Sequence, residues 1–268
     1  MKRIQLFEFE DQSWFPSWMR TSLNRLIRVL LNKMGITESA STLINQKLKE
    51  SNSNQVVDLG SGAGGVMIDV FKNLKATQPD TLPSFILTDL YPSESHVDYV
   101  NKLQFDQLRY DHRSINALNL DSTPSGLKTM FNAFHHLRPN EAQRLLESAA
   151  KAETPILMYE MADNRIPLIL WWLFLPVSLI IVALMCLFLT PMVRPLTFKQ
   201  LFFTYVIPII PITYAWDGQA SYPRIYTFSD IEELIQNIDM TNYTFEIDYL
   251  KNKKGKKQGY YIFGNPKK

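Results

Sequence analysis

Three groups of residues in this chain have types and spacing suited to chemistry. The stretch "VVDLGSGAGG" sets glycines at 60, 62, 64 and 65 directly after a short apolar run. A strand-to-helix turn without Cβ atoms lets a ligand lie against the backbone, and the free N–H groups of the next helix point at it. Asp58, two residues before Gly60, adds a carboxylate that repels a pyrophosphate and suits a ligand carrying an ammonium group. Asp89 closes a second apolar run, "FILTD". The third group is the pair His135–His136 in "TMFNAFHHL". An imidazole has the pKa to deprotonate a hydroxyl nucleophile, and His135 is the candidate general base. The adjacent histidines have no carboxylate or cysteine set at ligand-like spacing, so no metal site is expected.

These residues need a scaffold that brings strand ends together. From Gln55 the chain alternates short apolar runs with helical spacing: "QVVDL", "FILTDL", the weaker "LRYDHRSINAL", "TMFNAF" over 129–134, and "PILMYEM". Helices are expected in "VMIDVFKNLK" and "NEAQRLLESAAKA". Short buried strands alternating with helices predict a parallel sheet covered on both faces. Residues 1–50 read as mostly helical, with Leu23, Leu26, Ile27, Leu30 and Leu31 on one face. Near the end, "TFSDIEELIQNI" opens with Ser229 three residues before Glu232, the spacing of a capping box. "YTFEIDYL" and "GYYIFGNP", joined by the basic "KNKKGKKQ", predict a β-hairpin.

The glycine spacing alone fits two patterns. Gly60, Gly62 and Gly65 match G-x-G-x-x-G for a dinucleotide; Gly60, Gly62 and Gly64 match G-x-G-x-G. Asp58, the loop and the closing hairpin together resemble the class I S-adenosylmethionine-dependent methyltransferases. In that family the first strand ends in an acid and a G-x-G-x-G loop, and the seventh strand is antiparallel. The resemblance covers residues 55–160 and 243–264. It implies a Rossmann-like α/β fold, with a seven-stranded, mostly parallel sheet and an antiparallel last strand, and S-adenosylmethionine as cofactor. By the same resemblance, Gly60, Gly62 and Gly64 line the methionine end and Asp58 helps hold the amino group. Asp89 binds the ribose hydroxyls and Leu90 packs on adenine. Asn116 and Ala117 stand where the family often has Asp followed by Ala; an Asn carbonyl accepts the same hydrogen bond from the adenine amino group.

The run Leu168–Leu189, "LILWWLFLPVSLIIVALMCLFL", lies inside 28 residues, 166–193, that carry no charge. As a helix it spans roughly 33 Å, enough for a hydrocarbon core of about 30 Å. A single crossing would leave the fifth strand and the hairpin on opposite sides of a bilayer, so the chain must come back. The uncharged residues 200–216 offer a return leg, interrupted by Pro208 and Pro211. Arg194 and Lys199 between the legs would have to cross against the positive-inside tendency. The expectation is an apolar hairpin that dips into one leaflet or lies at the interface, with a buried core or dimer helix as the alternative.

The chain thus divides into an N-terminal segment or lid (1–50), a cofactor domain (51–165 and 217–268) and an apolar insertion (166–216). The aromatic stretches "FEDQSWFPSWMR" and "YAWDGQASYPRIYTF" could cover the active site. With 28 Lys plus Arg against 26 Asp plus Glu, net +2, a dedicated nucleic-acid binder is not expected. The lone Cys186 can form no internal disulfide. The N-terminus lacks the apolar stretch of a secretory signal. The expected function is methyl transfer to a hydrophobic, lipid-like or membrane-resident small molecule at the cytoplasmic side of a membrane. The alternatives are a non-catalytic membrane-associated scaffold or an NAD(P)-dependent reductase.

Overall fold

The computed structural model describes Met1 and residues 3–267. Lys2, within the 1–50 segment, and Lys268, which ends the cofactor domain as read from sequence, lie outside the described residues. Two helices, α1 (Ser17–Lys33) and α2 (Ile36–Glu50), open the ordered elements after a non-helical stretch. Then come β1 (Gln55–Leu59), α3 (Met67–Thr77), β2 (Ser84–Asp89), α4 (Glu94–Asn101), β3 (Leu108–Ser114), β4 (Leu127–Phe131), α5 (Pro139–Lys151) and β5 (Ile156–Glu160). The apolar region forms α6 (Leu168–Leu189), α7 (Phe198–Tyr205) and α8 (Ile209–Ser221). The chain closes with α9 (Phe228–Ile235), β6 (Tyr243–Lys251) and β7 (Lys257–Pro266).

All seven strands form one sheet in the order β3-β2-β1-β4-β5-β7-β6. β1 to β5 are parallel; β7 lies between β5 and β6 and is antiparallel to both. This is the class I methyltransferase topology. The chain order reverses between β1 and β4, which opens a crevice at their carboxyl ends, where ligands bind in open α/β sheets.

Alternation along the strands assigns the two faces. Val56, Phe85, Leu157 and Tyr159 meet α2, α3 and α4 through Ile44, Phe71 and Val100. Val57, Ile156 and Met158 point the other way, onto Leu145 and Leu146 of α5 and Ile231 of α9.

Three element ends differ from the sequence reading. β4 stops at Phe131 rather than Phe134, because Asn132 adopts a left-handed φ of 50° and its Oδ1 accepts from Met161 N at 2.8 Å. β3 stops at Ser114, where Ile115 N turns to donate to Asp89 O at 2.8 Å. The box that caps α9 is Thr227 with Asp230, two residues earlier than Ser229 with Glu232. Thr227 N donates to Asp230 Oδ2 at 2.9 Å, and Thr227 Oγ1 accepts from Asp230 N.

α6 runs its full 22 residues through Pro176. The return leg is split: Pro208 ends the run of α7, and α7 and the next helix meet at 80°. α8 lies antiparallel along α6. Ser178 Oγ donates to Gln219 Oε1 at 3.0 Å near one end, and Ile210 joins Cys186 and Leu189 at the other. The same cluster includes Met19, Leu23 and Leu26 of α1. The span Leu168–Met192 is long and apolar enough to cross a membrane, by length and composition.

Gly259 tests the β5–β7 seam. Its φ is +98°, and a Cβ there would stand 2.2 Å from Glu160 O. Gly259→Ala should therefore lower unfolding stability by about 3 kcal/mol or more, read from a denaturant midpoint. An unchanged midpoint would mean that β7 does not pack this closely on β5.

Candidate functional site

The site begins at the end of β1. Asp58 is buried, and Ser61 Oγ and Thr129 Oγ1 donate to its two carboxylate oxygens at 2.6 and 2.8 Å. Both donors are neutral hydroxyls, and no cation is among the groups acting on it. Burial therefore pushes the Asp58 carboxyl up to about 7. The loop beyond it turns through positive φ at Gly60, Gly62, Gly64 and Gly65. A Cβ on Gly62 would meet Asn24 Oδ1 at 2.7 Å, and one on Gly64 would meet Ile68 Cδ1 at 2.5 Å.

Asp89 closes on the same loop. Its Oδ2 accepts from Gly62 N and its Oδ1 from Tyr91 N, each at 2.8 Å. The Tyr110 hydroxyl donates to Gly62 O at 2.8 Å, so β1, β2 and β3 all fix this turn. Each Asp89 oxygen keeps a second lone pair for a ligand hydroxyl. Leu90, partly exposed, comes next; Ser114 Oγ donates to its carbonyl at 2.6 Å, which ties the end of β3 to it. Asn116 is exposed, and its Oδ1 accepts from Leu118 N at 2.9 Å, so the side chain shapes its own turn. Ala117 packs beside it. The structure thus brings Asp58, the glycines, Asp89, Leu90 and Asn116–Ala117 along one edge of the sheet. Next to the loop, a small cleft of about 60 Å³ opens between α1, Ala63, Gly65 and α4, with Arg25 and His96 in its wall.

His135 lies in a short turn, Phe134–His136, past the end of β4. It is buried. Its Nδ1 lies 2.8 Å from Glu160 Oε2, and its backbone N donates to Glu160 Oε1 at 3.0 Å. An ionised carboxylate only accepts, so Nδ1 carries the proton and Nε2 is left with the lone pair of a base. A Cβ on Gly60 would lie 3.8 Å from Ala133 Cβ, so this turn borders the glycine loop.

The N-terminal stretch closes over the histidines. Glu8 and Asp11 sit on Arg224 Nη1 at 2.8 and 2.7 Å, with Glu8 and Arg224 fully buried. His136 Nδ1 contacts Asp11 Oδ1 at 2.8 Å and Glu8 Oε2 at 3.4 Å. Arg3 donates to the carbonyls of Arg224 and His135. Phe9 N and Glu10 N donate to Asp217, at 2.8 and 3.1 Å. Burial raises the Glu8 carboxyl, against the charges of His136 and Arg224. Burial lifts Asp217 to about 6, and burial with the neighbouring Asp217 lifts Glu10 to about 8. Burial also opposes ionisation of Asp11, but the His136 hydrogen bond and the nearby charges outweigh it and hold that carboxyl low.

Near the histidines the fold adds a carboxylate that no sequence spacing reports. Glu8, His135 and His136 place ligand atoms within 4.8 Å of one another. Sequence spacing misses this because Glu8 arrives from the far end of the chain. Glu8 and Asp11 are, however, matched by the Arg224 guanidinium, so the cluster reads as an ion network that latches the N-terminal stretch. Glu160, Arg224 and Asn24 were also not singled out from sequence. The only signal for Glu160 was an acid ending the apolar run "PILMYE".

No family model and no curated protein sequence matches the chain. Among solved structures it is similar to the pyocyanin biosynthetic protein PhzM, with 12% identity, a TM-score of 0.42, and coverage of 81% of this chain and 51% of that one. It is also similar to the methyltransferase domain of bacterial CtHen1-CN (12%, TM-score 0.46, 86% and 98%). A third is human N-acetylserotonin methyltransferase in complex with S-adenosylmethionine (16%, TM-score 0.46, 91% and 55%). The chain therefore spans about half the length of the first and third. All three likenesses fall below a TM-score of 0.5, and the fold stands on strand order and register.

Asp58 gives this site a pH signature. Its folded pKa, about 7, lies above its ordinary 3.8, so the folded state holds more protons than the unfolded state between those values. This group therefore makes stability fall as pH rises from about 4 to about 7. Asp58→Asn should flatten that part of the ligand-free stability profile, measured by thermal melts across the window. A parallel profile for the variant would contradict the burial argument.

Proposed function

We propose that the chain is an S-adenosylmethionine-dependent methyltransferase acting on a hydrophobic or membrane-resident small molecule. The observation that carries this reading is a fixed base, His135 on Glu160, bordering a glycine loop whose buried carboxylate lacks a cation. When bound, S-adenosylmethionine supplies an electrophilic methyl group. Gly60, Gly62 and Gly64 leave room for its methionine end, Asp58 meets the ammonium group, and Asp89 takes the ribose hydroxyls. His135 Nε2 would take the proton of an acceptor hydroxyl while the acceptor oxygen bonds to the methyl carbon and the sulfur–methyl bond breaks, releasing the thioether product, and Glu160 would stabilise the imidazolium. Glu160 is a positioning residue: both its oxygens hold His135. The latched N-terminal stretch excludes water, and alignment supplies most of the rate. α6 and α8 lie next to this lid, which supports an apolar acceptor. Asp58 and the antiparallel β7 argue against a dinucleotide reductase.

Calorimetry on the full chain tests the cofactor. S-adenosylmethionine and its demethylated product should bind and NADH should not; heat with NADH and none with S-adenosylmethionine would overturn the reading. An ammonium group beside Asp58 lowers its pKa, so binding releases a proton. Affinity should then rise with pH up to about 7, by at most about tenfold per unit. Asp58→Asn should bind more weakly and lose that slope. A slope unchanged in the variant would place the ammonium elsewhere.

Catalysis is tested with methyl-labelled cofactor and a membrane lipid extract, with label expected in the organic phase. Glu160→Gln should lower kcat by roughly 10²–10⁴-fold, with cofactor affinity unchanged. Cofactor binding with no transfer to any extract would favour the scaffold alternative.

A further inference from the structure

α6 is apolar on every side, but the structure covers only one. Cys186 and Leu189 pack with α1 and α8, and Trp171 and Leu175 are buried too, while Ile169, Leu173, Val177, Ile180, Leu184 and Phe188 form an exposed stripe. Their spacing of three and four residues keeps them on one helical face. Ile169 and Phe188, near its two ends, are 78% and 74% exposed. Monomeric proteins rarely leave so large an apolar surface to water.

Both ends of α6 are tied to the rest of the chain. Arg165 N and Ile166 N donate to the Tyr222 hydroxyl at 3.0 and 2.8 Å. At the far end, Val193 packs with Leu23 and Leu26 of α1, and Arg25 donates to Pro195 O at 3.2 Å. α1 is in turn held at the glycine loop, where Arg28 Nε donates to Asp69 of α3 at 2.6 Å. A helix anchored along its length on a charged domain cannot stand upright in a bilayer without taking Arg20, Arg25 and Arg28 with it.

Basic residues flank both ends of α6. Arg165, at the foot of α6, hydrogen-bonds the Tyr249 hydroxyl, and Lys257 Nζ lies 3.5 Å from the centre of the same ring. This puts the β6–β7 turn beside the start of α6. Asp163 pairs with Arg165 and Asp248 with Lys251. Lys253, Lys254, Lys256 and Lys257 have no carboxylate partner among the described residues. Arg194 and Lys199 lie beyond the other end of α6. A two-fold contact between copies through this stripe would bring cations against cations in either direction; an anionic surface meets both ends.

We propose that the outer face of α6 and the lysine turn of the β6–β7 hairpin form a docking surface for an anionic bilayer, with α6 lying in the plane of the interface and not crossing it. Such helices bury their apolar face about 5–10 Å into the headgroup boundary, and basic residues near the surface add electrostatic attraction. Trp172 and Tyr205, both about half exposed at 50% and 49%, are the aromatic types favoured in that zone. The inference needs no methyl transfer. A chain that docks but binds no S-adenosylmethionine refutes the enzyme reading alone, and one that binds the cofactor but ignores lipid refutes this one alone.

The test is flotation of the full chain with phosphatidylcholine vesicles, with and without phosphatidylglycerol. Binding should be strong with phosphatidylglycerol and weaken with salt. Reversing Lys253, Lys254, Lys256 and Lys257 to Glu should lower the partition by roughly fivefold or more per residue. Leu173→Asp with Ile180→Asp should abolish it while cofactor affinity and helix content stay unchanged, which separates lost docking from misfolding. Equal binding to neutral vesicles, or no effect of charge reversal, overturns the anionic surface. A stable oligomer in solution that ignores vesicles and is dispersed by the double Asp variant shows that a second copy covers the stripe. Depth-sensitive labels at Ile169→Cys, Val177→Cys and Phe188→Cys should report the same shallow depth. A deep middle position with the ends on opposite faces would overturn the in-plane arrangement.

Discussion

Glu160 sits opposite Tyr260 in an antiparallel ladder that also pairs Ile156 with Gly264. Residues on either side of the long uncharged stretch are therefore neighbours in one sheet. That pairing forces the apolar segment to leave and rejoin the domain on the same side, and it makes α8 run back along α6. It also seats Glu160 at the carboxyl edge, where its two oxygens hold His135. Gly259 makes this possible by letting β7 approach Glu160 without a side chain.

Charge is distributed over the site in a consistent way. Where the acids Glu8 and Asp11 close the lid, Arg224 and His136 answer them. Where Asp58 faces the glycine loop, hydroxyls answer, and burial pushes the carboxyl well above its ordinary range. A buried carboxylate costs least when a cation is paired with it. At the lid Arg224 supplies that cation, whereas Asp58 has none among the described residues, and the proposed ammonium contact rests on that difference.

Much of the fold was legible because it rests on local patterns. The strands of "QVVDL" and "PILMYEM" show as apolar runs bounded by glycine or by polar residues, and the hairpin shows as aromatic runs about a basic turn. The end of β4 was not legible: Asn132 stops it through a bond to Met161, a contact across the sheet that no local pattern reports. The α9 cap was misplaced because "TFSDIEE" offers two overlapping cap patterns, and tertiary packing selects Thr227. In the site, the glycines stood out as a loop after an apolar run, and Asp89 was legible through the resemblance to the methyltransferases. Glu160 and Arg224 were not legible, since their roles depend on partners 25 residues or more away. The apolar stretch was read as hydrophobic all round; only the packed structure distinguishes its covered face from its open one.

The central claim is that one edge of this sheet aligns a methyl donor with His135. A crystal structure of the full chain with S-adenosylhomocysteine tests it most directly. The ribose hydroxyls should lie on Asp89, the amino group near Asp58, and the sulfur should face the space in front of His135 Nε2. A ligand bound elsewhere, such as in the groove between α2 and the β6–β7 hairpin, or one whose ribose turns away from Asp89, would contradict it.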